Sequence, residues 1–378
     1  MSGRRAAFIH SDQIEQYRYP EGCPFRPERA GRLRKTLCSM GLLSGQGISE
    51  VAPIPADRPV LKLFHSARYL NALKKADQGQ WDIQALHMGI GTDDVPIFRG
   101  MYDYAVLATG ATLVGADLIL SGQVDVVFNP SGGYHHAFPE KAAGFCYIND
   151  NAIACLVLAE AGRKVLYLDV DVHNGDGVAH AFYSRSDVMT ISVHENPRML
   201  FPGTGFEDEI GEGRGKGYCV HLPLPVGTYD SAYLHAFESV VVPLIGAFNP
   251  DVIVFELGVD ALAGDPLAHL YLTNNTYAEV IRHLLSFGKP ILATGGGGYN
   301  VENTVRAWAL AWTVFTGEDD GPDLGPLMGG VMMESTDWRG GLRDRELAVS
   351  EEQKQAVLPA LMASIDRIKA KVFPIHGL

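Results

Sequence analysis

Residues 169–177 read Asp-Val-Asp-Val-His-Asn-Gly-Asp-Gly, with three carboxylates and an imidazole close together. They follow an apolar, β-branched run at 164–168 that reads as a buried strand. Ionised carboxylates taken out of water are costly unless a cation or hydrogen-bond donors compensate them. Asp171 and His173 are two apart, so an extended segment turns both to one face. Carboxylate with imidazole suits Zn2+, and Fe2+ or Mn2+ would also be accepted. Taken alone, the stretch fits the plainer reading of a capped helix N-terminus better.

The elements that would position these residues alternate regularly. Strand-like runs occur at 6–9, 124–128, 164–168, 188–193, 218–222, 251–257 and 290–293. Helical patterns occur at 28–40, 60–75 (broken near His65-Ser66), 100–120, 150–161, 177–183, 231–248, 274–287, 301–316 and 351–372. This alternation predicts an α/β fold, a mostly parallel, doubly wound sheet with helices on both faces. The unbroken apolar strands fit burial on both faces. Residues 78–99 read as a long polar surface loop, and 318–338 also as loop. No linker or low-complexity tract interrupts the chain, so one domain over 1–378 is expected. On the first helix, Arg29, Arg32, Arg34 and Lys35 read as a solvated face.

Ligands of open α/β sheets bind outside the carboxyl ends of the strands. Five predicted strand ends carry polar residues. They are Ser131 to His136, the 169–177 stretch, Ser192 to His194, Gly258-Val259-Asp260, and Thr294 to Tyr299. Asp260 is a third candidate metal ligand, or a turn residue. Two Asp and one His would leave a coordination position for water and substrate, as at a catalytic zinc. His135 and His136 are further ligands, a core and a surface histidine, or catalytic groups. In the last case Asp169 and Asp176 would each orient one ring, fixing its tautomer and raising its basicity. Gly295 to Gly298 lack the spacing of a phosphate-binding loop and read as a sharp turn beside the site. Tyr299 then either points its hydroxyl inward or packs on the sheet.

Composition narrows the partners. The 378 residues are 47% hydrophobic and 20% charged, as in a globular chain with a large core. The net charge of −13 and the absence of a basic stripe argue against nucleic acid. Five cysteines, with no C-x-x-C spacing, read as free thiols of a reducing compartment. The apolar run at 6–9 is too short for a signal-peptide core, and no run approaches membrane-spanning length. A cytoplasmic protein with no membrane partner is expected, and self-association is left open.

Taken together, Ser131 to Ala137, Gly144 to Asp150, 169–177, Phe201 to Gly205, Leu257 to Asp260 with Gly264 to Pro266, and Gly295 to Asn300 resemble the histone deacetylase family of the arginase–deacetylase superfamily. The resemblance covers about residues 6–316. It is strongest to class I and to bacterial acetoin-utilisation-type members, and it implies the arginase/deacetylase fold. It further implies that Asp171, His173 and Asp260 bind zinc and that His136 with Asp176 is the general base and acid. His135 with Asp169 would give electrostatic support, and Tyr299 would polarise the acyl carbonyl. Gly144, Phe145, Phe201 and Leu267 would line a narrow substrate channel, with Asp94 anchoring substrate backbone at its rim. Arg29 would belong to an internal exit channel, against its solvated-face reading. One potassium ion would be held by Asp169, Asp171, His173, Ser192 and Val193, and a second near Phe182, Arg185, Val188 and Tyr218. Asn174 stands where many members have histidine. Glu256 stands where class I members often carry glutamine, which would put an extra charge near Asp260. The long tail of nuclear members is absent, so no corepressor binding is implied.

The expected activity is zinc-dependent removal of acetyl or another short acyl group from the amine of a lysine-like chain. Acyl-lysine peptides, proteins or small acylated amines would be the partners. An acetylpolyamine amidohydrolase is the alternative. An arginase-like ureohydrolase and an inactive acyl-lysine-binding protein are further behind.

Overall fold

The computed structural model describes residues 4–319 and 341–378, so most of the loop expected at 318–338 lies outside the described residues. Eight strands form one parallel sheet: β1 (Ala6–Ile9), β2 (Ile48–Val51), β3 (Val126–Asn129), β4 (Val165–Asp169), β5 (Val188–Glu195), β6 (Cys219–Leu224), β7 (Val252–Glu256) and β8 (Ile291–Thr294). Their order is β2-β1-β3-β8-β7-β4-β5-β6. Seven of them fall where apolar runs predict them. The exception, β2, is an edge strand of sequence Ile-Ser-Glu-Val with its two central residues exposed. Its sequence offers too little apolar signal to stand out.

Successive residues of each strand feed opposite cores. Phe8 and Phe128 face a layer containing the helices Arg29–Ser39, Asn274–Ser286 and Val301–Thr316. There Phe8 meets Trp312 edge-on at 5.5 Å and Phe128 meets Trp308 at 6.0 Å. Ala7, Ile9 and Val127 face the other layer, formed by Met101–Leu120, Asp150–Glu160 and Asp176–Phe182. With both faces covered, the strands need no polar side, which explains their unbroken apolar runs.

Some local expectations change. The polar stretch 78–99 contains a short helix, Ile83–His87, capped by Asp82 through the amides of Gln84 and Ala85. The pattern at 60–75 starts earlier but breaks near His65-Ser66 as expected, into the helices Arg58–Leu61 and Ala67–Asp77, with Ser66 capping the second. Two helices, Met101–Leu120 and Asp230–Phe248, are long and apolar enough to cross a bilayer by length and composition, contrary to expectation. Two thirds and one half of their most apolar windows (67% and 50%) are buried in the fold, where a core helix meets the same criteria.

Candidate active site

The carboxyl ends of β3, β4, β7 and β8 meet at the middle of the sheet, because these strands are neighbours in its order. After β4 the chain folds back on its own carboxylates. Asp169 accepts from the Asp171 amide at 3.1 Å, and Asp171 accepts from the His173 amide at 2.9 Å. Asp260, in the loop after β7, accepts from the Val172 amide at 2.8 Å. Trp308 secures that loop by donating from Nε1 to the Leu257 carbonyl at 2.8 Å.

Asp171, His173 and Asp260 thereby converge. Nδ1 of His173 lies 3.0 Å from Asp171 Oδ1 and 3.0 Å from Asp260 Oδ2. All three residues are buried, and one donor atom from each lies within 4.8 Å of the others. Two carboxylates and one imidazole nitrogen aimed at a common point form a donor set that suits a divalent cation. Burial works against charge on His173, but the hydrogen bonds to Asp171 and Asp260 outweigh it and raise its pKa to about 10. Burial, with Asp171 close by, raises Asp260 to about 7. The turn after β8 closes this corner. The Gly297 amide donates to Asp171 Oδ2 at 2.6 Å, and a Cβ at Gly297 would fall 1.9 Å from Asp260 Oδ2.

The paired histidines stand opposite. Nδ1 of His135 is 2.8 Å from Asp169 Oδ2, and Nδ1 of His136 is 2.8 Å from Asp176 Oδ1. Asp176 is the first residue of the helix Asp176–Phe182, and its Oδ1 also accepts from the Gly177 amide at 2.9 Å. The helix-start reading and the histidine-orienting reading therefore describe the same carboxylate. Two residues with no role read from sequence hold the histidine loop. Asp150 accepts from the amides of Gly133 and Tyr134 (3.1 and 2.8 Å), and Asn149 donates to the carbonyls of His135 and Ala137 (3.1 and 2.9 Å).

Aromatic rings frame the approach. Phe201 lies edge-on to His136 at 4.9 Å and to His173 at 6.3 Å, and Phe145 lies edge-on to Tyr299 at 5.7 Å. Tyr299 is also edge-on to His173, at 6.4 Å. Burial keeps its phenol far above the usual range, hence protonated and able to donate. Its backbone is held by Asp265, whose Oδ2 accepts from the Tyr299 amide at 2.7 Å and whose Oδ1 accepts from Leu267 at 2.9 Å. Gly144, at φ +53°, has no room for a side chain, since a Cβ would lie 2.5 Å from His136 Cδ2. Asp94 supports this wall through Oδ2 to the Gly144 amide (2.8 Å), while its Oδ1 accepts from Thr92 (2.7 Å). Both oxygens are thus turned to the protein's own wall.

Arg29 departs from its solvated-face reading. It is buried, donates to the carbonyls of Gly298 and Gly296 (2.8 and 2.5 Å), and lies over the rings of Phe25 and Trp308. Its neighbours Arg32, Arg34 and Lys35 do reach outward, to Glu302, Glu50 and Glu15. Glu256 faces His135, with Oε1 at 3.8 Å from Nδ1, rather than adding a charge beside Asp260. Burial and the nearby Asp169 and Asp171 hold it protonated, and its Oε2 accepts from Asn151 and Thr294 at 2.8 Å each. Of the residues expected around potassium, Asp169 and Ser192 are register partners where β4 meets β5, and Ser192 Oγ is 2.8 Å from His194 Nδ1. In the second set, the carbonyls of Phe182 and Tyr218 accept from the amides of Arg185 and Thr190 (2.9 and 2.8 Å).

A parallel sheet that collects a cation donor set, two histidine–aspartate pairs and a buried phenol at its strand ends is a hydrolase scaffold of the arginase-like α/β class. Residues 23–315 match the histone deacetylase domain family, and the chain belongs to that family. It is 38% identical over 331 residues to the acetoin utilization protein AcuC of Bacillus subtilis, covering 85% of each chain. Histone deacetylase 8 of Xenopus tropicalis is also 38% identical, over 77% of this chain and 79% of its own. Among solved structures, an HDAC homolog from Aquifex aeolicus superposes with a TM-score of 0.82 at 32% identity, over 96% of this chain and all (100%) of its own. The chain is thus an enzyme of the deacetylase type, a hydrolase acting on amides.

Proposed function

We propose that this enzyme removes acetyl or another short acyl group from the amine of a lysine-like chain with the help of a divalent cation, zinc being the ion its donor set suits best. One observation carries the reading: two imidazoles, each backed by its own aspartate, face one another beside the Asp171–His173–Asp260 cluster. Asp171, His173 and Asp260 would hold the cation, which would supply Lewis acidity to the amide carbonyl and to a water.

The chain's own residues do the rest. His136 is neutral at physiological pH, because burial and the positive neighbour His135 lower it to about 4. It therefore accepts a proton from the attacking water at Nε2 while Asp176 holds Nδ1–H. The same nitrogen returns that proton to the leaving amine. His135 is held protonated, because Asp169 and Asp171 overcome the cost of burying it. It stabilises negative charge growing on the carbonyl carbon's oxygens. Tyr299 donates its hydroxyl to the acyl oxygen, a contact that strengthens as that oxygen becomes an oxyanion. Phe145 and Phe201 enclose the methylene stem of the substrate, while Gly144 leaves it room. Arg29 keeps the 296–298 carbonyls in place and so positions Tyr299. Potassium at the end of β4 and β5 would brace Asp169 and Asp171 from behind.

The amine carrier divides this reading in two. Both oxygens of Asp94 are engaged with Gly144 and Thr92, so a peptide backbone would have to compete for them. That favours keeping small acylated amines, acetylpolyamines among them, as the second reading. Comparing kcat/KM on acetyl-lysine peptides and on acetylated diamines, with the enzyme loaded with zinc, decides between the two. Peptide preference supports the first reading, and diamine preference the second.

A further inference from the structure

A cavity of about 360 Å3 lies behind the His136–Asp176 pair, lined by Asp176, and none of Gly144, Phe145, Phe201 or Tyr299 lines it. Asp176 belongs to both sites. Its Oδ1 serves His136 and the Gly177 amide, and its side chain is 13% exposed, whereas Asp169 behind His135 is fully buried (0%). Glu209 and Glu212 add two carboxylates to the wall. Glu209 Oε1 accepts from the amides of Gly205 and Phe206, and Glu212 Oε1 from the Ser184 hydroxyl. Neither lysine nor arginine lines the cavity, and its two histidines are His180 and His221. His221 contributes no charge at neutral pH, since burial lowers it to about 3.

Unpartnered atoms in the wall point to a ligand independently of these acids. Asn174, 2% exposed, donates from Nδ2 to Thr204 Oγ1 at 3.1 Å, and its Oδ1 has no partner. His221, 3% exposed, leaves Nδ1 without one. Buried polar atoms are seldom left unpaired.

We propose that this cavity binds a small organic ammonium cation, and that its occupancy is felt at His136 through Asp176. An ammonium group brings three N–H donors and one positive charge to a wall of carboxylates and an idle amide oxygen. The volume is far above one water's share of about 30 Å3, so it admits a short carbon chain and not merely one ion. A cation beside Asp176 competes with His136 for the charge of that carboxylate, weakening the support of the general base without blocking the tunnel. Binding stands apart from the deacylase reading; only its effect on turnover rests on it.

The test uses the full-length, zinc-loaded enzyme, with 1,4-diaminobutane as probe. Butane-1,4-diol is the neutral isostere, and KCl and MgCl2 are controls at equal ionic strength. The expected result is a rise in melting temperature with the diamine alone. Its affinity should drop at least tenfold in Glu212→Gln and in Asn174→Leu. Saturating diamine should lower kcat on an acyl-lysine peptide with KM unchanged. Equal shifts with the diol or the salts would overturn the proposal, as would unaltered affinity in both variants. Inhibition competitive with the peptide would place the diamine in the tunnel and overturn it too. Binding with unchanged kcat would remove the link to His136.

Discussion

Nε2 of His135 and Nε2 of His136 lie 3.0 Å apart, close enough to share a hydrogen, while each Nδ1 is spent on its own aspartate. With both Nδ1 atoms donating, one further proton is divided between the two Nε2 atoms, and the ring that lacks it keeps its Nε2 lone pair for the attacking water. The charge of Asp169 and Asp171 assigns it to His135, and burial together with that neighbouring charge keeps His136 neutral. Two titratable groups driven apart in this way take different roles: His136 moves the proton, and His135 stays charged beside it.

The pH profile should carry that division. At saturating zinc, kcat/KM on an acyl-lysine peptide should fall only as pH drops through the lowered pKa of His136, about 4. His135→Asn removes a like charge, which raises the pKa of His136. Its acid limb should therefore move to higher pH, by half a unit or more. An acid limb that stays put or moves lower would contradict the assignment.

Metal uptake should compete with protons. Without a cation, His173 holds its proton up to about pH 10 because Asp171 and Asp260 accept from it. A metal needs the neutral ring, so binding releases that proton. Apparent zinc affinity, measured against a chelator, should rise about tenfold per pH unit above pH 7, and more steeply between pH 6 and 7, where the Asp260 proton must leave as well. The cluster would lose its assignment as the ligand set if affinity were flat over this range.

Two glycines should fail in different ways. A methyl at Gly297 meets Asp260 Oδ2, so Gly297→Ala should lose zinc. A methyl at Gly144 meets the His136 ring, so Gly144→Ala should keep zinc and lose turnover. Each overpacked site should cost about 1–3 kcal/mol of stability. Metal content and kcat on the same preparations separate the two outcomes.

Arg29 should prove structural as well as local to the site. Arg29→Met leaves the carbonyls of Gly296 and Gly298 without their donor. Urea unfolding should show a loss of about 3 kcal/mol, from two hydrogen bonds to a charged group. A change below 0.5 kcal/mol, the usual size for surface sites, would restore the solvated-face reading.

What could be read in advance follows from distance along the chain. Asp171 and His173 stand out because a strand-like segment with period two puts both on one face. The alternation of strands and helices made the sheet legible, since buried parallel strands leave unbroken apolar runs. Asp265 and Asp150 left no such trace. They act by accepting from backbone amides 34 and 16–17 residues away, and any acid in a loop looks the same in sequence. The helix pattern hid Arg29, whose partners are carbonyls 267 and 269 residues downstream, and only the family resemblance pointed to an internal place for it. The orientation of Glu256 toward His135 depends on which side of β7 faces the histidine loop, which follows from strand order and not from local pattern.

The most direct measurement is turnover of a generic acyl-lysine substrate by wild type, His136→Ala and Tyr299→Phe, each with its zinc content determined. The account predicts bound zinc in all three, with kcat/KM reduced about 10²–10⁴-fold in His136→Ala and about 10²–10³-fold in Tyr299→Phe. Wild-type turnover in both variants, with zinc retained, would contradict it.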